Sequence, residues 1–322
     1  MSTRHDLGDG DASGTDLGEP TDAHATVEAA PDAPVGSVEV AEPETVAEEQ
    51  PPDPDYPRYR VEPGTRLDLS QVNADESEHY ERKKDVKEEL DRQRDRIRDL
   101  QARLYAERRQ SLLIVLQAMD TGGKDGTIRG VFQGVNPQGC QVWSFKAPSA
   151  EELEHDFLWR YHQKAPSRGM ITIFNRSHYE EVLIVRVKGL MPEDVWRRRY
   201  EMINEFEHAL MLNNTTVLKF YLHISKEEQK RRLQSRLDDP AKHWKFWSSD
   251  LKERAFWDDY MRAFEDAISN CATPYAPWYV VPANRKWYRN LVIARTIADT
   301  LEAMRPQFPP AEPGLAKVVI AD

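Results

Sequence analysis

Cysteine is scarce in this sequence, and long apolar runs do not occur in it. Cys140 and Cys271 are the two cysteines among 322 residues, and their spacing is not that of a metal site. We expect both to be reduced and buried, as free cysteine usually is. No apolar run approaches the roughly 20 residues that span a bilayer, and the N-terminus lacks the basic and apolar regions of a signal peptide. The sequence therefore predicts a water-soluble, cytoplasmic protein without membrane contact.

Several common catalytic patterns are also missing. The sequence has no His or Cys cluster of the zinc-binding type, no H-E-x-x-H motif, and no Ser-His-Asp or Cys-His arrangement at catalytic spacing. His178 has no visible partner at such spacing, so we expect it to be structural. What remains is chemistry by positioning and by electrostatics around a metal ion, which is what phosphoryl transfer requires.

Charge is distributed unevenly along the chain. Residues 1–55 hold 15 acidic residues and one base, a balance of −14, so the net charge of −11 leaves +3 for the remainder. This first segment has few aromatic or large aliphatic residues and cannot bury enough apolar surface to offset the entropy lost on ordering. We predict a disordered acidic tail at 1–55, a mildly basic body that could receive a polyanion, and a loose, proline-rich C-terminal end at 306–322.

The body, residues 56–305, has the pattern of an α/β domain. A chain of this length allows two average domains or one large domain with insertions. Short apolar runs predict strands at residues 112–116, 141–145, 170–174, 216–222 and 278–281. Helical patterns lie at 78–109 (one helix or two), 126–135, 149–161, 192–212, 226–233 and 285–304, and capping boxes at Ser149 with Glu152 and at Ser225 with Glu228 mark two of their starts. This alternation predicts a parallel sheet with helices on both faces.

The connection between the last two predicted strands, about residues 226–270, is unusually long. Basic and aromatic residues alternate closely in it, together with many acids. It is either an ordinary helical excursion with a solvated face or a mobile lid that places cations over bound phosphates.

The loop from Ala118 to Gly126 follows the first strand directly and precedes a helix. In a Walker A loop, G-x-x-x-x-G-K-[ST], backbone N–H groups surround phosphate oxygens, the lysine neutralises them, and a hydroxyl binds Mg²⁺. Lys124 stands in the proper place, but Ala118 replaces the first glycine and Asp125 replaces the hydroxyl residue. We therefore predict that Lys124 binds phosphates and that Asp120 is the metal ligand in place of the missing hydroxyl.

A second group of polar residues follows the third strand, where it should face the loop that carries Lys124. Asn175 stands where enzymes with a Walker A loop usually have an aspartate for Mg²⁺. Arg176 could clamp a phosphate bidentately, or be a surface ion-pair partner. Glu180 and Glu181 could reach a metal or a nucleotide, or be idle helix-face carboxylates.

Six blocks of the sequence, in one order, resemble the type-2 polyphosphate kinases. The run from Leu116 to Ile128 is similar to that family's phosphate loop. The other blocks are Val135–Gly139, Asp156–Arg160, Phe174–Val182, Lys242–Phe246 and Arg285–Asn290. The resemblance covers roughly residues 56–305.

The resemblance implies a P-loop kinase-like three-layer fold with a helical lid, and transfer of phosphate between inorganic polyphosphate and nucleotides with Mg²⁺ or Mn²⁺. By residue matching, Asp120 would hold the metal, Lys124 would bind the transferring group and Arg176 would bind phosphate. Glu181, where the family often has Asp, is the second metal candidate. The other phosphate- or nucleotide-binding candidates are Gly122, Gly123, Asp125, Gly126, Thr127, Arg129, Asn175 and Glu180, with the lid cations Arg231, Arg232, Arg236, Lys242 and Lys245.

The leading hypothesis is a polyphosphate-dependent kinase acting on nucleoside mono- and diphosphates, with adenine nucleotides as partners and guanine nucleotides as further candidates. We expect a homo-oligomer, either a dimer or a tetramer. The alternatives are an ATP-dependent nucleoside monophosphate kinase and a non-catalytic regulator that binds polyphosphate or nucleotide. A nucleic-acid partner is not expected, because no recognised nucleic-acid module accompanies the basic segment.

Overall fold

The computed structural model describes residues 59–315 and 318–320. The predicted acidic tail at 1–55 lies outside the described residues, as do residues 316–317 and 321–322 of the predicted C-terminal end. No helix in the described ranges combines the length and apolarity that crossing a bilayer would need.

Five parallel strands form one sheet within the described residues. They are β1 (Ser111–Gln117), β2 (Cys140–Ser144), β3 (Ile171–Asn175), β4 (Thr215–His223) and β5 (Trp278–Pro282), in the order β2-β3-β1-β4-β5. Each lies within one residue of its predicted bounds. All of β1 is buried because β1 is central and covered on both faces, whereas β2 is an edge strand and mostly exposed. The predicted parallel α/β sheet is confirmed.

The helices are α1 (Lys87–Glu107), α2 (Lys124–Val131), α3 (Ala150–Leu153), α4 (Trp159–His162), α5 (Ile184–Val187), α6 (Glu193–Leu212), α7 (Lys226–Leu237), α8 (Ser248–Ala255), α9 (Trp257–Cys271) and α10 (Lys286–Ala303). Helices α1, α2 and α10 pack together, and α5, α6 and α9 form a second group. The crossover from β1 to β2 and that from β3 to β4 run in opposite directions along the sheet. Right-handed connections therefore place α2 and α6 on opposite faces.

The two helices predicted from capping boxes differ in detail from the structure. The capping box of Ser149 and Glu152 is present, but the predicted helix over 149–161 is two short helices, α3 and α4. In the segment between them, Asp156 accepts from the N–H of Leu158. At α7, Ser225 accepts from the N–H of Glu228. The carboxylate of Glu228 does not complete a box there, because it binds arginines of α7 instead.

The parallel sheet brings the functional loops to one edge. Leu116 is in register with Asn175 on β3 and with Phe220 on β4, so the carboxyl ends of the three strands meet. The backbone N–H of Arg176 donates to the carbonyl of Leu116 at 3.1 Å, which joins the end of β3 to the loop after β1. The segment between β4 and β5 contains the three helices α7, α8 and α9, and it leaves the sheet at this same edge.

Candidate active site

The loop of residues 118–124, here called the phosphate loop, has a backbone that only glycine permits at two positions. Gly123 has φ +104°, and a Cβ atom there would lie 2.1 Å from a nitrogen of Arg289. Gly122 donates its N–H to the carbonyl of Met119 at 2.9 Å, and a Cβ on Gly122 would lie 2.5 Å from that of Ala118. The two glycines therefore make the tight turn that delivers the chain into α2.

Among the described residues, four consecutive backbone N–H groups at this turn are unpaired. Within the described part of the chain, the N–H groups of Gly123, Lys124, Asp125 and Gly126 have no hydrogen-bond acceptor. They stand at the N-terminus of α2, where the unpaired N–H groups and the helix dipole favour an anion. This arrangement fits a phosphate group even though the strict Walker A pattern is not met.

The side chain of Lys124 folds back over the loop. Its Nζ donates to the carbonyl of Ala118 at 3.0 Å. Desolvation, and next the charge of Arg176, lower the pKa of Lys124 to about 8 against the opposing effect of Asp120, Glu180 and Asp125. Lys124 is thus a cation in a confined position beside the free N–H groups.

Arg176 and Asn175 bind the two acids of the loop region. A guanidinium nitrogen of Arg176 donates to Oδ1 of Asp120 at 2.8 Å, and the amide of Asn175 donates to Oδ1 of Asp125 at 2.7 Å. Arg176 and Thr121 both have φ +63°, a left-handed conformation that is rare outside glycine and costs about 1 kcal/mol or more. Strain of this kind is typical of functional sites.

Glu180 and Glu181 point in different directions. Glu180 lies beside Arg176 and Lys124, and desolvation raises its pKa against the effect of these two cations. Glu181 instead accepts from Arg199 of α6 at 2.6 Å and from Tyr161 at 3.5 Å. The geometry does not support the metal role that we predicted for Glu181, because its carboxylate is already paired outside the site.

The acids of the site suit Mg²⁺ only in combination with substrate. No group of three or more Asp, Glu, His or Cys residues in the described ranges could hold a metal ion by itself. Asp120 and Glu180 line one small cavity of about 70 Å³ together with Arg176, Tyr260 and Phe264. Mg²⁺ is usually held by one or two carboxylates, by substrate phosphates and by water, so this donor set fits.

The predicted lid cations are not gathered over the phosphate loop. Arg231, Arg236 and Lys242 form ion pairs with acids of the same segment, and the ammonium of Lys245 lies over the ring of Trp244. Arg232 alone among the five contacts the loop, and it does so as a buried residue that binds the carbonyls of Thr121 and Gly122.

The remaining candidates lie in α2. Thr127 is buried, and its hydroxyl donates to the carbonyl of Gly123, which stabilises the first turn of the helix. Arg129 and Gly126 are exposed. Two residues that we did not predict, Gln229 and Arg289, bind carbonyls of the loop. Arg289 belongs to a block that carried the family resemblance, and that was the one signal for it.

A sequence model of the family described as Polyphosphate kinase 2 matches residues 80–309. This chain belongs to the polyphosphate kinase 2 family. The chain is 51% identical over 264 residues to the AMP/ADP-polyphosphate phosphotransferase of Meiothermus ruber, covering 82% of this chain and 99% of that one. It is 45% identical over 275 residues to the ADP-polyphosphate phosphotransferase of Rhodopseudomonas palustris, covering 82% and 95%.

A solved polyphosphate kinase 2 shares the fold. The crystal structure of that protein from Arthrobacter aurescens TC1 superposes with a TM-score of 0.78 at 44% identity, over 80% of this chain and 93% of that one. Membership of the polyphosphate kinase 2 family and a kinase fold are therefore established for the chain.

Proposed function

We propose that this polyphosphate kinase 2 transfers a phosphoryl group between inorganic polyphosphate and ADP, with AMP as a second acceptor. The observation that carries the proposal is the meeting of Lys124, Arg176 and Asp120 at a loop with four unpaired backbone N–H groups. The relatives from Meiothermus ruber and Rhodopseudomonas palustris, named for AMP/ADP and for ADP, support these acceptors. We also propose that the protein accepts guanine nucleotides, forms a homo-oligomer and is located in the cytoplasm.

The residues of the site account for the transfer by positioning and charge. An oxygen of the ADP β-phosphate attacks the terminal phosphorus of polyphosphate. The new P–O bond makes ATP, and the broken P–O bond releases a chain shorter by one phosphate. The N–H groups at the start of α2 and the protonated Lys124 hold the charged oxygens in place. Arg176, 2.8 Å from Asp120, carries further N–H groups in a planar fork that matches phosphate.

A divalent ion, Mg²⁺ or Mn²⁺, would supply charge stabilisation to the transferring group when bound. Asp120 and Glu180 are the carboxylates whose position suits it. We expect Asp120→Asn to weaken Mn²⁺ binding in the presence of polyphosphate by at least about tenfold. Glu181→Gln should leave that affinity unchanged, because Glu181 pairs with Arg199. Electron paramagnetic resonance of free Mn²⁺ measures both, and an unaltered affinity in Asp120→Asn would contradict the assignment.

The activity should depend on the protonation of Lys124. Its pKa of about 8 in the free enzyme means that the ammonium is lost as the pH rises, and with it a charge that holds phosphate. We expect kcat/KM for polyphosphate to fall about tenfold per pH unit above this pKa. The activity left in Lys124→Arg should lack this limb, since guanidinium stays protonated. Persistence of the limb in that variant would show that another group titrates.

The proposed function is tested by incubating the purified chain with polyphosphate, Mg²⁺ and ADP and measuring ATP. A parallel panel of AMP, GMP and GDP defines the acceptors. Supplying ATP as the sole donor to AMP tests the alternative of an ATP-dependent monophosphate kinase. Turnover with ATP but not with polyphosphate would favour that alternative. Binding of polyphosphate without any turnover would favour the non-catalytic regulator.

A further inference from the structure

Arg289 is a buried guanidinium in the first turn of α10, 2% exposed. Its Nε and one NH₂ group donate to the side chain of Asn290 at 3.1 and 2.8 Å, and its other NH₂ group lies 3.4 Å from the carbonyl of Gly122. Burial, and next the charge of Arg232, lower its pKa to about 9, and no acidic group in the described ranges opposes them. A buried cation without a protein anion is unfavourable by itself. Its presence beside the phosphate loop indicates that an anion bound there compensates it.

Side chains of helix α7 also bind the phosphate loop, on the same side as Arg289. The amide of Gln229 donates to the carbonyl of Asp120 at 3.0 Å. Arg232, one helical turn further along the same face, donates to the carbonyls of Thr121 at 2.9 Å and Gly122 at 3.0 Å. Three consecutive carbonyls of the phosphate loop are therefore bound by side chains, and two guanidinium groups converge on the last of them.

The carbonyl of Gly122 belongs to the same peptide group as the N–H of Gly123. In a planar trans peptide the two point in opposite directions. We call the side of the loop that faces Arg232 and Arg289 its outer side. Because the arginines hold the carbonyl of Gly122 on this side, the N–H of Gly123 points to the opposite, inner side. The N–H groups of Lys124 and Asp125 come next in the chain. Two positive charges at the carbonyl also polarise the peptide so that its N–H binds an anion more strongly.

Both arginines make further close approaches to the protein around the loop. Arg232 also donates to the carboxylate of Glu228 at 2.6 Å and to the carbonyl of Ala283 at 2.6 Å. Arg289 fills the space that a Cβ on Gly123 would need. The phosphate loop is therefore packed directly against both arginines.

We propose that Arg232 and Arg289 are positioning residues that orient and polarise the phosphate loop from its outer side, so that it binds the terminal phosphates of inorganic polyphosphate. Neither guanidinium contacts the phosphates. For Arg232 this replaces the role of a lid cation that we predicted from the sequence. The identity of the bound anion rests on the proposed function, whereas the effect on the loop does not.

The test compares Arg289→Met and Arg289→Lys with Arg295→Met. Arg295 lies on the same helix and is also largely buried, but it pairs with Glu89 and with Tyr80 rather than with the loop. Isothermal titration calorimetry measures the binding of inorganic tripolyphosphate at a fixed concentration of free Mg²⁺. Urea unfolding measures stability, and steady-state kinetics give KM for polyphosphate and for ADP.

We expect Arg289→Met to weaken tripolyphosphate binding by about tenfold or more, as the loss of a charged hydrogen-bonding group does. KM for polyphosphate should rise to a similar extent, with a smaller change in KM for ADP. Arg289→Lys should retain part of the affinity because it keeps the charge. Arg295→Met should lower stability and leave tripolyphosphate binding unchanged.

Three outcomes would overturn the inference. They are wild-type affinity in Arg289→Met, an equal loss of affinity in Arg289→Met and Arg295→Met, and a wild-type chain that binds no tripolyphosphate. A wild-type chain that binds tripolyphosphate but makes no ATP from polyphosphate would overturn the proposed function alone. The comparison of variants by calorimetry would then still decide the role of Arg289.

Discussion

Replacing Lys124 with methionine is expected to lower kcat/KM for ATP formation from polyphosphate by about 10²–10³-fold, the effect of removing one preorganised donor at a developing charge. Methionine keeps the length of the side chain but loses the ammonium. In the structure that ammonium binds the carbonyl of Ala118 and stands beside Arg176 and Glu180. The loss should therefore fall on the transfer step more than on stability.

A matched control for this variant is Lys87→Met. Lys87 is an exposed lysine on α1 that forms an ion pair with Asp91 at 3.8 Å, and such pairs contribute little. Coupled detection of ATP gives kcat/KM for both variants, and circular dichroism verifies their folding. A Lys124→Met variant that retains wild-type kcat/KM would remove Lys124 from the mechanism.

The second large effect is expected from Lys219→Met, and it concerns stability. Lys219 on β4 is completely buried and donates to Glu207 of α6, to the hydroxyl of Tyr179 at 2.9 Å and to the carbonyl of Cys271 at 2.7 Å. Without it, Glu207 would be a buried carboxylate without a cation. We expect the free energy of unfolding to fall by about 3–5 kcal/mol.

The pKa of Glu207 gives the same reasoning in terms of protonation. Burial acts to raise this pKa, but the charge of Lys219 and the hydrogen bond of His178 hold it below the ordinary value.

The double variant Lys219→Met with Glu207→Leu should recover much of the loss, because an apolar pair leaves no buried charge. Lys230→Met, at an exposed position of α7, is the control. Urea unfolding measures all three, and a Lys219→Met variant as stable as the control would contradict the prediction.

The buried cluster of Lys219, Glu207, His178 and Tyr179 also helps to position a residue of the active site. His178 and Tyr179 stand directly before Glu180, and both bind Glu207 through side-chain hydrogen bonds, at 3.0 and 2.9 Å. His178 therefore lies in the core, as the structural histidine that we expected from the sequence would. The cluster connects the end of β3 to α6, β4 and the last residue of α9, which fixes the turn that carries Glu180.

The sequence by itself determined the strands and the position of the phosphate loop. Both are local: β1 is a short apolar run between two polar segments, and Gly122, Gly123 and Lys124 follow it directly. A buried strand, a tight glycine turn and a helix start are each dictated by neighbouring residues. The same holds for Asp120, which lies inside that loop and needs no distant partner to be placed at the site.

Only the tertiary structure decided which other charged residues face this loop. Glu180 and Glu181 are adjacent in sequence, but successive residues of a helical turn project in different directions, and Arg199 of α6 captures Glu181. Arg289 lies 167 residues after Gly122, too far along the chain for any local pattern to link them. Arg232 looks like its exposed neighbour Arg231 in the sequence. Its burial against the loop follows from how α7 packs, because burial of a helical residue depends on the face that the fold turns inward.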